Sequence, residues 1–290
     1  MRDLVTLLRP SQWVKNAFVV APLVFSQRFF DATQLVNVAV ATLAFCLASS
    51  ASYAFNDVID RDRDRRHPLK SKRPVAAGRV TPAAAVSVAS ALIVAAGLLA
   101  WVLGTTFLLI LAAFFGLHLL YSFVLKNVIV ADVAAIAAGF VLRAAGGVVA
   151  VGARMSPWLF VCTFLLALFL ALGKRRHEAV LLGLEAGEHR EVLGRYTLRL
   201  LDRLVAAVSI ATVIVYALYA LTPAVESNLG TERLYLTVPF VVFGVFRYLF
   251  LVYGREKGGN PTAVLLGDVP LQLGIASWIA TVFLLLYFSG

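Results

Sequence analysis

Residues 34–67 read QLVNVAVATLAFCLASSASYAFNDVIDRDRDRRH. The first 22 of them, 34–55, carry no charged side chain, which is the length a helix needs to cross about 30 Å of hydrocarbon. Aspartates and arginines then alternate from Asp57 to Arg66. An uncharged run ending abruptly in a charged block marks the boundary between lipid and water. The stretch therefore reads as a transmembrane helix that delivers an acidic cluster to the membrane surface.

The rest of the chain repeats that pattern. Of its 290 residues, 61% are hydrophobic and 14% charged, with a mean hydropathy of +0.87, whereas soluble domains are about a quarter charged. So little polar surface excludes a soluble globule. We read an all-α multi-pass membrane protein, a single domain over 1–290, with nine transmembrane helices near 14–31, 34–55, 82–103, 106–125, 130–151, 157–173, 204–222, 234–253 and 269–288. Pro22 interrupts the first, and residues 1–16 lack the apolar core of a cleavable signal peptide. The net charge of +10 does not point to nucleic acid, because the basic residues cluster between spans. With nine alternating helices, 21 of the 26 Lys and Arg fall on one side and only Arg28, Arg154 and Arg233 on the other. The positive-inside rule then makes the N-terminus and the loops 56–81 and 174–203 cytoplasmic; the plasma membrane is the expected location. These loops follow the second and sixth spans, a hint of two related halves. Cys46 and Cys162 lie in apolar runs without His or Cys partners, so neither a disulfide framework nor a zinc site is expected.

Chemistry concentrates in the first loop. Asp57, Asp60, Asp62 and Asp64 are 4 of the 16 acidic residues. If the helix continues, Asp57, Asp60 and Asp64 share a stripe within about 60°, while Asp62 points away. Three carboxylates on one stripe repel, and only a cation or a basic partner offsets that. Such oxygen ligands suit Mg²⁺, which completes its shell with substrate phosphates. The alternative is a solvated helix end cross-linked to Arg61, Arg63 and Arg65.

Asn56-Asp57-x-x-Asp60-x-x-x-Asp64 at the end of the second helix resembles the first aspartate-rich motif of the UbiA superfamily of intramembrane prenyltransferases. His67-Pro68 with Arg73-Pro74-Val75-Ala76-Ala77-Gly78 resembles the loop that follows it, and Tyr121-Ser122-x-x-x-Lys126 the tyrosine-lysine element after helix 4. The resemblance implies a UbiA-like bundle, Mg²⁺ held by Asp57, Asp60 and Asp64 as the catalytic acids, and substrate contacts from Asn56, Tyr121 and Lys126.

The chain departs from the superfamily where a second Asp-x-x-x-Asp is usual. It reads Gly173-Lys174-Arg175-Arg176-His177-Glu178, one acid among cations. Together with Arg9-Pro10-Ser11-Gln12-Trp13-Val14-Lys15-Asn16, this resembles a branch that moves 5-phosphoribose from phosphoribosyl pyrophosphate to a polyprenyl (decaprenyl) phosphate for arabinan cell-wall precursors. Diphosphate, ribose 5-phosphate and lipid phosphate in one cavity call for cationic clamps. Lys174 and Arg175 are expected to face the cavity, with Glu178 beside them, and Lys15, Lys70 and Arg73 are further candidates that could equally bind lipid headgroups. The branch also implies a homo-oligomer, a trimer, for which no interface pattern is visible.

Arg143 falls in mid-membrane, where a charge is costly unless it meets a polar cavity or a partner, so it joins the substrate-binding candidates. Asp132 lies nearly in phase with it on the same helix. Arg247 is expected to pair or snorkel, His118 to be a satisfied core residue, and Gly139, Gly146 and Gly147 to let helices approach closely. Two other functions stay open: prenyl transfer to an aromatic or haem-like acceptor, which needs a second acidic set, and transport, against which the interfacial position of the acids argues.

Overall fold

The computed structural model describes residues 2–68, 70–182, 196–254 and 260–288, and these contain helices and connections but no strand. The chain starts with α1 (Arg2–Leu8), a 3₁₀ segment (Pro10–Asn16) and α2 (Ala17–Phe25). The helices α3 (Ala32–Ile59), α4 (Arg61–Arg66), α5 (Pro82–Val102), α6 (Thr105–Phe123), α7 (Ala131–Ala150) and α8 (Pro157–Leu182) follow. The described remainder forms α9 (Leu198–Ala220), α10 (Pro223–Leu229), α11 (Val238–Gly254), α12 (Pro261–Gly267) and α13 (Val269–Tyr287). Part of the loop 174–203, including Arg190 and Arg195, lies outside the described residues, as do Arg255 and Lys257.

Local chemistry sets the helix starts. Asp31 accepts from the N–H groups of Thr33 (2.9 Å) and Gln34 (3.3 Å) to begin α3, and Thr81, Thr197 and Asp268 cap α5, α9 and α13 in the same way. The connection from α5 to α6 turns through Gly104 at φ 102°, a conformation that favours glycine.

Eight helices among the described residues are long and apolar enough to cross a membrane. The chain is thus a multi-pass membrane protein. The expected first span differs from the other eight: it is the 3₁₀ segment followed by the nine-residue α2, with Pro22 inside it. At about 2.0 Å per 3₁₀ residue and 1.5 Å per α residue, the pair rises about 27 Å. α2 can be this short because it is packed inside the bundle, with Val19, Pro22 and Leu23 buried.

Two apolar cores lie side by side. One gathers Val19, Phe45, Phe107 and Phe114 from the N-terminal half, and the other Phe169, Leu201, Tyr248 and Leu251 from the C-terminal half. α7 contributes to both, through Ala150 to the first and Val133 to the second. Its membrane window is 67% buried against 17% for α13, so α7 is the central post and α13 faces lipid. Close approach explains its glycines. A Cβ at Gly147 would sit 2.1 Å from the Val19 carbonyl oxygen, and one at Gly146 would sit 2.4 Å from the Phe45 ring.

Candidate functional site

α3 is 28 residues long, about 42 Å, so its last turns project past the membrane core. It breaks at Asp60 (φ −89°, ψ 4°), yet helical spacing survives. Asp60 N–H donates to the Asn56 carbonyl at 2.9 Å and Asp64 N–H to the Asp60 carbonyl at 2.8 Å. Asp57, Asp60 and Asp64 therefore keep their common stripe across the break. Asp62 points off it, with its side chain 79% exposed and 3.5 Å from Arg65.

Basic partners offset the repulsion along the stripe. Asp57, 1% exposed, accepts from Arg9 and, at 3.1 Å, from Arg73. The same Arg73 nitrogen donates to Asp64 at 2.6 Å, so one guanidinium bridges two carboxylates. Lys126 pairs with Asp60, and Ser122 donates to Asn56 Oδ1 at 3.0 Å. Burial pushes the Asp64 carboxyl above its ordinary value, against the opposing pull of Arg73 and Lys70. Lys70 sits in a short 3₁₀ turn (Lys70–Lys72) on that side.

No three His, Cys, Asp or Glu side chains converge into a metal cage among the described residues. One atom nonetheless suits a metal. Asp57 Oδ2 is buried and has no hydrogen-bond partner, a costly state for a carboxylate oxygen unless a cation or water completes it. Such oxygens fit a hard divalent ion that finishes its shell with phosphates. Asp57, Arg9 and Arg73 line a cleft of about 560 Å³ between the N-terminal segment and Asn260.

A second polar cluster lies where α6 ends, α7 begins and α8 makes its last turns. Arg175, 0% exposed, donates from Nε to Asp132 Oδ2 at 2.5 Å, from Nη1 to Glu178, and from Nη2 to the Tyr121 hydroxyl at 2.8 Å. Tyr196 donates to Asp132 Oδ1 at 3.0 Å and accepts the Val130 N–H at 2.7 Å. Burial raises the Tyr196 phenol to about 12, so it stays a donor. Val130 itself sits at φ 67°, a strained conformation for a β-branched residue. Lys174 lies 3.7 Å from Glu178 and is 39% exposed. All of Arg175's nitrogens are thus committed to protein, and of the two expected clamps only Lys174 opens to solvent.

Arg143 occupies a third setting. Its nitrogens donate to Asn16 Oδ1 (2.7 Å), the Gly139 carbonyl (3.0 Å) and Ser49 (3.4 Å), between the faces of Phe114 and Phe140. Among the described residues it has no carboxylate partner, and the in-phase Asp132 pairs with Arg175 instead. Lys15 lies within electrostatic reach of Tyr53 and His118. The half-buried His118 meets the Phe114 carbonyl through Nδ1 at 2.8 Å. Arg247 pairs with Asp268 at 2.9 and 3.0 Å. Both cysteines are free, Cys46 buried and Cys162 half-buried.

Tyr121 and Lys126 do not share a helix face, because α6 ends at Phe123 and Lys126 belongs to a separate 3₁₀ turn (Leu125–Asn127). One turns to Arg175, the other to Asp60. Sequence reasoning left Arg9, Asp132 and Tyr196 without site roles. Arg9 had a signal in its place before Pro10 and the Gln12-Trp13-x-Lys15-Asn16 run. The partners of Asp132 and Tyr196 are 43 and 64 residues apart in sequence, which no periodicity reveals.

This geometry has relatives. The UbiA prenyltransferase family matches residues 17–266. A protein of Mycolicibacterium smegmatis named decaprenyl-phosphate phosphoribosyltransferase is 34% identical over 99% of this chain and 93% of its own. One of the same name from Corynebacterium glutamicum is 33% identical over 98% and 86%. Among solved structures, a UbiA homolog from Archaeoglobus fulgidus bound to GPP and Mg²⁺ superposes with a TM-score of 0.73 at 20% identity, covering 98% of this chain and 99% of that one. A digeranylgeranylglyceryl phosphate synthase superposes at 0.64 with 14% identity, covering 97% and 98%. An aspartate stripe carried out of the membrane by a long second helix, and likeness that runs nearly end to end, make this chain a membrane transferase belonging to the UbiA prenyltransferase family.

Proposed function

We propose that the protein transfers 5-phosphoribose from phosphoribosyl pyrophosphate to a polyprenyl phosphate, decaprenyl phosphate in the named relatives, at the cytoplasmic face of the plasma membrane and with Mg²⁺. The observation that carries this reading is the fate of Glu178. Prenyl transfer with a second metal needs an acidic pair after the sixth span. Here Glu178 is engaged by Arg175 and Lys174, and Asp132 by Arg175 and Tyr196. The second half of the site is a closed ion network edged by one solvent-facing cation, which suits phosphate rather than another metal ion. The relatives' names point the same way.

Asp57, Asp60 and Asp64 would hold Mg²⁺, which when bound supplies charge neutralisation for the departing diphosphate. Arg9, Arg73 and Lys126 now neutralise those carboxylates and stand ready to turn onto phosphate oxygens. A lipid phosphate oxygen attacks the anomeric carbon while its bond to pyrophosphate breaks. The nucleophile is already anionic, so no strong general base is required. Lys174 steers phosphate, and Arg175 holds Tyr121 and Glu178 in place from within the protein. Arg143, Lys15, Asn56 and Lys70 complete the proposed substrate-binding set. The topology belongs to the same proposal: the segment 10–25 is the ninth crossing, the N-terminus is cytoplasmic, and the assembly is a homotrimer.

Donor competition tests the reading. Purified protein in lipid is given polyprenyl phosphate with Mg²⁺ and either phosphoribosyl pyrophosphate or a prenyl diphosphate with an aromatic acceptor. Turnover of the sugar donor alone is expected, and turnover of the prenyl donor alone would replace this reading with aromatic prenylation.

A further inference from the structure

The cleft above Asp57 has two carboxamides in its wall, each anchored to the protein. Gln12 Oε1 accepts from the Thr262 hydroxyl at 3.2 Å, and Asn260 Oδ1 accepts from Ala263 N–H at 3.3 Å, capping α12. Asn260 faces a backbone N–H, which can only donate, so its oxygen is committed to the protein; Gln12, placed with its oxygen toward the Thr262 hydroxyl, does the same, which leaves each NH₂ as the end able to serve a ligand. Both residues line the cleft of about 560 Å³ that also contains Arg9, Arg73, Ser11 and Asp57.

We propose that Gln12 and Asn260 set donor specificity by hydrogen-bonding the oxygens of a phosphorylated sugar, an inference that rests on the functional reading above. The chemistry of the wall selects the class of ligand. Two amide NH₂ groups and the Ser11 hydroxyl beside two guanidiniums offer directed donors to hydroxyl and phosphate oxygens. A prenyl diphosphate presents oxygens only at its head, so its hydrocarbon tail would displace water from those amides without replacing the hydrogen bonds they lose. The two residues also come from opposite ends of the chain, so the cleft reads the donor only when the N-terminal segment and the start of α12 are docked, as the Gln12–Thr262 bond holds them.

The test uses near-isosteric changes that keep both oxygens in use. Gln12→Glu retains the acceptor for Thr262, and Asn260→Asp retains the cap. Each replaces an NH₂ donor by an anionic oxygen. Binding of phosphoribosyl pyrophosphate and of geranyl diphosphate, each with Mg²⁺, is measured by titration calorimetry on wild type and both variants in lipid nanodiscs, with KM for polyprenyl phosphate alongside. Loss of one hydrogen bond weakens binding by roughly three- to tenfold, and the added repulsion brings the expected loss of sugar-donor affinity to about tenfold or more. KM for the lipid phosphate should stay within about twofold on the same reasoning. Wild type that binds the sugar donor while both variants bind it equally well overturns this inference alone. Equal losses for sugar donor and lipid overturn it too, since they mark a general disruption. Wild type that binds only geranyl diphosphate overturns the functional reading and this inference together.

Discussion

At the residue scale, the acidic stripe is a set of carboxylates held by cations until a ligand arrives. Changing Asp57, Asp60 or Asp64 to Asn removes a ligand and strands the opposing Arg9, Arg73 or Lys126. We expect turnover to fall by roughly two orders of magnitude in each, with insertion and detergent-extracted yield unchanged. Asp62→Asn should lose less than about threefold, because its side chain is 79% exposed and pairs with the exposed Arg65. Initial rates across a Mg²⁺ titration check both outcomes, and a loss at Asp62 equal to that at Asp60 would refute the stripe. A different logic governs Asp132, which is 0% exposed and faces the 0% exposed Arg175. Asp132→Asn leaves a buried guanidinium short of a counter-charge, at a cost of about 3 kcal/mol. A lowered melting temperature in detergent reports it. A melting curve matching wild type would show that Glu178 and Tyr121 suffice to hold Arg175.

At the scale of elements, α2 and α7 decide whether the bundle closes. A Cβ at Gly147 would meet the Val19 carbonyl oxygen at 2.1 Å. That atom is backbone, so α2 itself must move. Gly147→Ala should cost about 1–3 kcal/mol by overpacking. Gly97→Ala, in the middle of α5 with nothing within 4 Å of the added atom, should be neutral or slightly stabilising through helix propensity. Denaturant unfolding of the two variants side by side separates close packing from any general effect of replacing glycine. The short α2 was the element least visible beforehand. Apolar content around 14–31 predicts a span that Pro22 interrupts, and in the structure Pro10 and Pro22 with their missing N–H groups accompany a 3₁₀ segment and nine α-helical residues packed closely on α7.

At the scale of the whole molecule, the proposed orientation has a direct test. With Cys46 and Cys162 replaced by Ser, a single cysteine at Arg63 should resist a membrane-impermeant thiol reagent added outside sealed, right-side-out vesicles. One at Arg154 should react. External labelling at Arg63 would invert the topology and put the aspartate stripe on the far face.

Much of this protein was legible in its sequence because lipid is an unforgiving solvent. Uncharged runs about twenty residues long must be helices, since an unpaired backbone group in hydrocarbon costs several kcal/mol. Eight of the nine expected spans are present as such helices. The aspartate spacing was readable too, because helical periodicity is a local rule that survived the break at Asp60. What the sequence could not supply was which cation faces which acid. The arginine that bridges Asp57 and Asp64, the Arg9 that reaches Asp57 from 48 residues away, and the union of Asp132, Arg175 and Tyr196 all depend on how helix ends meet. Arg175 was expected as an open phosphate clamp and is instead a sealed hub, since a guanidinium 0% exposed persists only where its donors are satisfied by protein. Charge pairing across helices is set by tertiary docking, and only the folded bundle decided it.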